Sequence, residues 1–318
     1  MNHQKEKRPL VILTGPTAVG KTSLSIQLAK QLHAEIISAD SMQIYKYMDI
    51  GSAKIKPAEM EGIRHYLVDE LMPDEEFNVV IFQQKAKTAM QEIYKRGKIP
   101  LIVGGTGFYI QAVLYDIDFK STKEETAYRD SLEQLAADHG AQYLHDMLQS
   151  VDAPSAEAIH CNNVKRVIRA LEYYHQTGSP ISVHNETERQ KASPYAFCYF
   201  VLNDERERLY EKIDKRVDLM MQEGLLNEVM RLKAMGYDRT LISMQGLGYK
   251  ELLAYLEGEY PLEEAVRIIK RDTRHFAKRQ LTWFRREKEV TWIEKKEYNY
   301  NDDRITAQML DTIQSCMR

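Results

Sequence analysis

The sequence predicts an α/β fold, a P-loop parallel sheet core flanked by helices, with an all-helical insertion domain. Three observations carry this. An apolar run, a glycine-rich turn and a helical pattern follow one another at Leu10–Leu32. Apolar strand-like runs then alternate with helical patterns through the first third of the chain, the punctuation of βαβ units. A stretch from about Phe119 to Ala192 shows helical patterns and no convincing strand, after which a continuous apolar run resumes. The expected division is therefore a discontinuous core over 1–118 and 193–318 and an insertion over 119–192.

Leu10–Thr14 reads as the first strand, and Leu24, Leu28 and Leu32 mark the helix that follows. Glu35-Ile-Ile-Ser-Ala-Asp40 is the next strand run. A helix is expected over Val79–Lys95 and a strand over Ile99–Val103. In the insertion, helices are expected around Tyr128–Asp138, Ala141–Ser150 and Asn163–Gln176. They are separated by the breakers Asp-His-Gly, Asp-Ala-Pro and Thr-Gly-Ser-Pro. Tyr195–Leu202 is apolar throughout, as a strand buried on both faces must be. The rest is mostly helical, with a last strand at Val290–Ile293.

Composition bounds the class. The 318 residues, 43% hydrophobic and 29% charged, are those of an ordinary globular chain with room for a large core. No apolar run reaches the length of a membrane span, and Met1–Pro9 is too polar for a signal peptide, so a cytoplasmic protein is expected. Cys161, Cys198 and Cys316 are too scattered for a disulfide framework or a zinc site. The net charge of −3 says nothing about nucleic acid, but its distribution does. Nine Lys and Arg residues lie between Arg267 and Lys288, opposed within that segment only by Asp272 and Glu287. This is either a solvated face of one long helix or a footprint for a polyanion.

The turn Gly15-Pro16-Thr17-Ala18-Val19-Gly20-Lys21-Thr22 has the pattern of a phosphate cradle, and it sits where such a cradle must, between strand and helix. Backbone N–H groups, the helix N-terminus and the Lys21 charge suit a di- or triphosphate, and the Thr22 hydroxyl suits Mg²⁺. The strand Ile99–Val103 runs into Gly104-Gly-Thr-Gly107 without the carboxylate an NTP hydrolase uses to hold magnesium. That weakens the reading as an ordinary NTP hydrolase and leaves open a protein holding diphosphate as a leaving group. Asp40 ends a strand at the ligand-binding edge of the sheet. It could hold metal through water, cap a helix or act as a base. Thr106, in the next glycine-rich turn, could reach a phosphate, orient a nucleophile or bond its own backbone.

The chain resembles the bacterial tRNA dimethylallyltransferase (tRNA isopentenyltransferase) family. The resemblance rests on the phosphate cradle, Asp40-Ser41-Met42-Gln43-Ile-Tyr45, Met48-Asp-Ile-Gly-Ser-Ala-Lys54, Val103–Ile110, Asn163–Glu172, Gly246-Leu-Gly-Tyr-Lys-Glu251 and Lys278–Arg285, which occur in the family's order along nearly the whole chain. It implies transfer of a five-carbon group from dimethylallyl diphosphate to the exocyclic amine of the adenosine just 3′ of a tRNA anticodon. It implies that Asp40 is the base, that Thr106 helps position the reactants and that Arg216 binds diphosphate. From the residues alone, Arg216 is one of several helix charges. It implies Mg²⁺ as cofactor, held in part by Thr22. It implies that Asp40 to Gln43 and Thr106 meet the extruded adenine, and that Arg129, Lys165, Arg166, Arg169, Lys278, Arg279, Gln280 and Arg285 contact tRNA. A monomer is expected. Cys161 stands where many relatives have proline, and Ser52 where the pattern has threonine.

Two other readings share the cradle: an adenylate isopentenyltransferase acting on free AMP, ADP or ATP, and a small-molecule P-loop kinase. A third is an RNA-binding module that has lost its chemistry. The insertion and the basic C-terminal segment favour tRNA over a free nucleotide. The missing strand-end carboxylate weighs against a kinase.

Overall fold

The computed structural model describes residues 7–119 and 126–316. Residues 1–6, within the segment expected to be no signal peptide, and residues 120–125, within the expected insertion, lie outside that description. The chain divides into two compact units, one of residues 1–114 and 194–318 and the other of residues 115–193.

The first unit is built on β1 (Arg8–Thr14), α1 (Lys21–Leu32), β2 (Ala34–Ala39), β3 (His65–Tyr66), α2 (Val79–Lys95), β4 (Ile99–Gly104) and α3 (Gly107–Leu114). All six strands of its sheet are parallel, in the order β3-β2-β4-β1-β5-β6 once β5 (Tyr195–Asn203) and β6 (Val290–Glu294) are included. After β1 the chain skips a position, lays down β2 and β3, and returns with β4 to fill the gap. It then adds β5 and β6 on the other side of β1. The direction of winding thus reverses at β1, where open sheets of this kind place their ligands.

Register makes the edge useful. Thr14 pairs with Gly104, and Gly104 also pairs with Ala39. The carboxyl ends of β1, β2 and β4 are therefore level, and Gly15, Asp40 and Gly105 leave the sheet side by side. The expected helix over Val79–Lys95 is found with those bounds, started by Asn78, whose side-chain oxygen accepts from the Val80 and Ile81 N–H groups. Leu24 and Leu28 of α1 are fully buried, and Leu32 packs against their cluster. In β5, Cys198 to Leu202 are buried in succession, as a strand covered on both faces requires. The two-residue β3 carries too little pattern to be read from sequence.

The second unit holds α4 (Thr126–His139), α5 (Ala141–Val151), α6 (Ala153–Ala158), α7 (Val164–Thr177) and α8 (Ile181–Arg189). Its core gathers Leu132, Leu144, Leu148, Val167, Ile168 and Leu171. The short α6 and α8 go beyond what the sequence predicts, because neither offers two turns of apolar period. Asp152 explains both. Its carboxylate caps α6 through the Ser155 N–H and hydroxyl, and it also accepts the Ser182 N–H at the start of α8.

The first unit is completed by α9 (Arg206–Gln222), α10 (Leu225–Ala234), α11 (Tyr249–Leu256), α12 (Leu262–Phe284) and α13 (Asp302–Cys316). The long basic helix expected over Arg267–Lys288 ends at Phe284, so Arg285 caps it and Arg286 and Lys288 lie beyond. Its charges are also more opposed than the segment alone suggests. Lys270 pairs with Asp218 at 2.6 Å and Arg274 with Asp214 at 2.5 Å, both partners lying on α9, while Arg267 pairs with Glu264. Among the described residues Lys278, Arg285 and Arg286 have no ion-pair partner, so the positive field concentrates at the end of α12.

Candidate active site

A cavity of about 580 Å³ opens at the carboxyl edge of the sheet. Its lining includes Lys21, Thr22, Asp40, Gln43, Thr106 and Arg216, brought in from α1, the ends of β2 and β4, and α9. Residues far apart in the sequence thus meet in one volume.

The cradle is shaped by backbone constraint. Gly15 has φ 143°, and a Cβ there would sit 2.5 Å from the Leu202 carbonyl oxygen. Gly20 enters α1 in the left-handed region. Val19 turns its side chain into the core, where it is fully buried, so it offers the site only backbone. Lys21 Nζ donates to the Gly15 and Pro16 carbonyls, each at 2.9 Å. Desolvation, then the nearby Arg216 charge, lower the Lys21 ammonium to about 7, with Asp40 opposing. The lysine is a cation held by carbonyls and short of negative charge.

Asp40 follows β2 directly, and its Oδ1 accepts the Met42 N–H at 2.8 Å. The capping and the functional readings of Asp40 are therefore compatible: it fixes its own turn and still lines the cavity. Burial raises its carboxyl above the ordinary value, against the pull of the Met42 bond and Lys21. Arg216 is lowered by burial, with Asp40 opposing. Thr106 donates its N–H to the Ala39 carbonyl at 3.2 Å and accepts at its own carbonyl from Tyr109 and Ile110, starting α3. It lines the cavity, and its hydroxyl has no hydrogen bond to the described residues.

Ser41, Met42 and Gln43 line the same cavity, as do Arg279 and Gln280 from α12. Gln280 plays a part that its basic surroundings hide. It is buried, its Oε1 accepts the Thr17 N–H at 2.9 Å, and its Nε2 donates to the Gly105 carbonyl at 3.0 Å. It latches the cradle to the second glycine turn. A signal for this existed, since Gln280 falls three residues after Ala277 and four before Phe284 on the buried side of α12. Lys278 and Arg279 are exposed and, with His275, Thr282, Trp283 and Arg286, shape a shallow groove of about 410 Å³. Arg285 is exposed at the helix end.

Thr22 lines the cavity and its hydroxyl has no hydrogen bond to the described residues. Among those residues no three of His, Cys, Asp and Glu converge as a metal cage. A hydroxyl and a carboxylate, Thr22 and Asp40, lining one cavity are hard-oxygen donors of the kind Mg²⁺ uses when a substrate phosphate supplies the remaining ligands.

In the helical unit, Lys165, Arg166 and Arg169 are exposed on α7, off its buried stripe of Val167, Ile168 and Leu171. Arg129 on α4 is placed differently: it forms a two-pronged ion pair with the buried carboxylate of Glu172.

The chain is similar to known proteins along nearly its whole length. A family model described as IPP transferase matches residues 43–287. A tRNA dimethylallyltransferase of Lachnoclostridium phytofermentans is 64% identical over 303 residues, covering 95% of this chain and 96% of that protein. One of Acetivibrio thermocellus is 52% identical over 300 residues, covering 94% and 96%. The crystal structure of a tRNA isopentenylpyrophosphate transferase from Bacillus halodurans superimposes with TM-score 0.73 at 43% identity, covering 98% of each chain. A eukaryotic dimethylallyltransferase acting on tRNA gives TM-score 0.77 at 30% identity over 90% of this chain and 74% of its own.

Proposed function

The chain belongs to the IPP transferase family, and from that membership we propose that it transfers a dimethylallyl group from dimethylallyl diphosphate to the exocyclic amine of the adenosine 3′-adjacent to the anticodon in tRNA. The products are isopentenyladenosine and diphosphate. The observation that carries the reading is the convergence of Lys21, Arg216 and Asp40 in one cavity.

The chemistry follows from the charges. Diphosphate leaves from an allylic carbon, taking the electron pair of the C–O bond. Lys21 and Arg216, two cations short of counter-charge, stabilise the negative charge that develops on it. The adenine amine attacks the carbon and forms the C–N bond. Its lone pair is delocalised into the ring, so losing a proton to Asp40 as the bond forms lowers the barrier. Burial raises the Asp40 carboxyl above its ordinary value, which makes it a stronger base than an exposed aspartate. Thr106 orients the reactants. Thr22 would hold Mg²⁺, which supplies further neutralisation of the diphosphate.

A stacked adenine must leave the anticodon arm to enter such a cavity. Ser41, Met42 and Gln43 would receive it. The exposed cations of α7 and Lys278, Arg279 and Arg285 would hold the RNA backbone. Gln280 acts from inside, and Arg129 holds the helical unit together behind the α7 surface. The enzyme works as a cytoplasmic monomer.

The test is incubation with Mg²⁺, labelled dimethylallyl diphosphate and unmodified tRNA, with AMP and ATP as parallel acceptors. Label in tRNA adenosine is expected. Label only in free nucleotide would move the acceptor to the adenylate class, and no label in either would sink the prenyl-transfer reading.

A further inference from the structure

Glu228, on α10, is 3% exposed and does not line the cavity, yet its carboxylate organises one wall of it. Oε2 accepts the Asp49 N–H at 3.0 Å and the Ile50 N–H at 2.8 Å. Oε1 accepts the Gly51 N–H at 3.1 Å and the Tyr249 hydroxyl at 2.8 Å. Three successive N–H groups turned to one point form an anion-binding concavity, filled here by the chain's own carboxylate. Gly51 is pressed against the Tyr249 ring so closely that a Cβ would lie 2.5 Å from its Cζ. Lys54 closes the loop from the other end, donating to the Tyr45 carbonyl at 2.7 Å and pairing with Asp49 and Asp69 at 2.6 Å each.

The fixed loop has an output. The Ser52 and Ala53 carbonyls, next in sequence, accept from Gln43 Nε2 at 3.5 and 3.3 Å, while Ser38 Oγ donates to Gln43 Oε1 at 3.0 Å. An amide between a hydroxyl donor on one side and two carbonyls on the other has one preferred orientation of its oxygen and nitrogen. Gln43 lines the cavity with Asp40, so that orientation fixes which hydrogen-bonding face meets a base there.

We infer that Glu228 is a positioning residue for the acceptor base: its carboxylate pins the Asp49–Gly51 backbone, which sets the Ser52 and Ala53 carbonyls, which orient the Gln43 amide. The inference rests on the reading of the cavity as the acceptor site. It adds a residue that touches neither substrate.

The experiment is a double-substitution cycle in the full chain, using Gln43→Ala, Glu228→Gln and both together. It reads kcat/KM for tRNA, the Kd for dimethylallyl diphosphate and thermal unfolding. Glu228→Gln keeps the volume but puts an N–H₂ group where at least one backbone N–H needs an acceptor. Expected is a fall in kcat/KM for tRNA of about ten-fold or more for each single variant, with donor Kd within about two-fold of the parent. The double variant should fall no further than Gln43→Ala alone, because Glu228 acts through Gln43. Effects that multiply, or a silent Glu228→Gln, overturn the positioning role. A silent Gln43→Ala also overturns it. Loss of label transfer to tRNA in the parent would instead be the failure of the prenyl-transfer reading. Tyr249→Phe, which removes one partner of the carboxylate together with the hydroxyl's interaction with the Ser52 backbone, should move kcat/KM in the same direction by less. It keeps the inference testable should Glu228→Gln fail to fold, and an unchanged kcat/KM in it would then count against the role.

Discussion

Arg129 on α4 grips Glu172 on α7 with two parallel hydrogen bonds, Nε to one carboxylate oxygen at 2.9 Å and Nη2 to the other at 3.0 Å. Glu172 is 4% exposed, so the pair joins two helices across the edge of the helical unit's core. Arg129→Ala leaves a buried carboxylate without its cation. The guanidinium itself is only half-buried, so water can answer part of the loss, and a destabilisation of about 1–3 kcal/mol is expected. Chemical denaturation checks it. Arg129→Ala should unfold the helical unit earlier, and an unchanged midpoint would show that the pair holds nothing together.

Lys21 gives the site a pH dependence of definite sign. With its ammonium lowered to about 7 in the free protein, bound diphosphate should raise it again. Binding above pH 7 therefore takes up a proton, and donor affinity falls as pH rises through that value by up to about ten-fold per unit. Calorimetry in buffers of different ionisation enthalpy reads the uptake. Lys21→Met should bind more weakly and lose the slope. In stability the same shift works against the fold at low pH: with its folded value below the ordinary 10.5, Lys21 favours the native state above 10.5 and loses that contribution as pH falls to about 7.

Asp40→Asn keeps the Met42 N–H acceptor and removes the proposed base. Transfer to tRNA should slow by about 10²- to 10⁴-fold while donor Kd holds. In the parent enzyme the rate should decline on the acid side as pH falls through the raised Asp40 value. A variant retaining full single-turnover rate would take the proton-accepting role away from Asp40.

Gln280→Ala removes the acceptor of the Thr17 N–H and the donor to Gly105 at once. A cradle held less firmly should bind diphosphate about ten-fold more weakly. Gln280→Glu separates positioning from charge: it keeps the Thr17 acceptor but loses the Gly105 donor and sets a carboxylate beside an anion site. It should bind more weakly than Gln280→Ala. The reverse order would mean that the Thr17 bond alone matters.

These residues also show what the sequence reveals. Strands and the cradle are legible because they follow from unbroken apolar runs and glycine spacing, which are local. Asp40 and Thr106 are legible as neighbours in kind, since each follows a strand and strand ends of a parallel sheet share an edge. That they are neighbours in space depends on β4 filling the gap between β2 and β1, which no local pattern encodes. Glu228 and Gln280 hide for another reason. Each is polar in a helix rich in charge, and only its fall on the apolar side, near Leu225 and Leu232 or Ala277 and Phe284, marks it as buried. The basic run misleads in the opposite direction, because Asp214 and Asp218 oppose it from a helix some fifty residues earlier.

The α7 surface can be tested apart from the fold beneath it. Lys165, Arg166 and Arg169 are exposed and lie off the buried stripe of Val167, Ile168 and Leu171, so removing one exposed guanidinium should leave stability within about 0.5 kcal/mol. A cation that neutralises one phosphate accounts for about 0.7 to 0.9 of the slope of log K against log salt. Its removal should flatten the slope by that amount and weaken binding alike for different tRNAs. Arg166→Ala, titrated with unmodified tRNA at several salt concentrations, should show both changes with an unaltered unfolding midpoint. Arg129→Ala should show the converse, a shifted midpoint and, under conditions where it remains folded, a slope close to the parent's. If the Arg166→Ala slope equals the parent's, the RNA backbone does not run over this face of α7, and the footprint reduces to the cations at the end of α12.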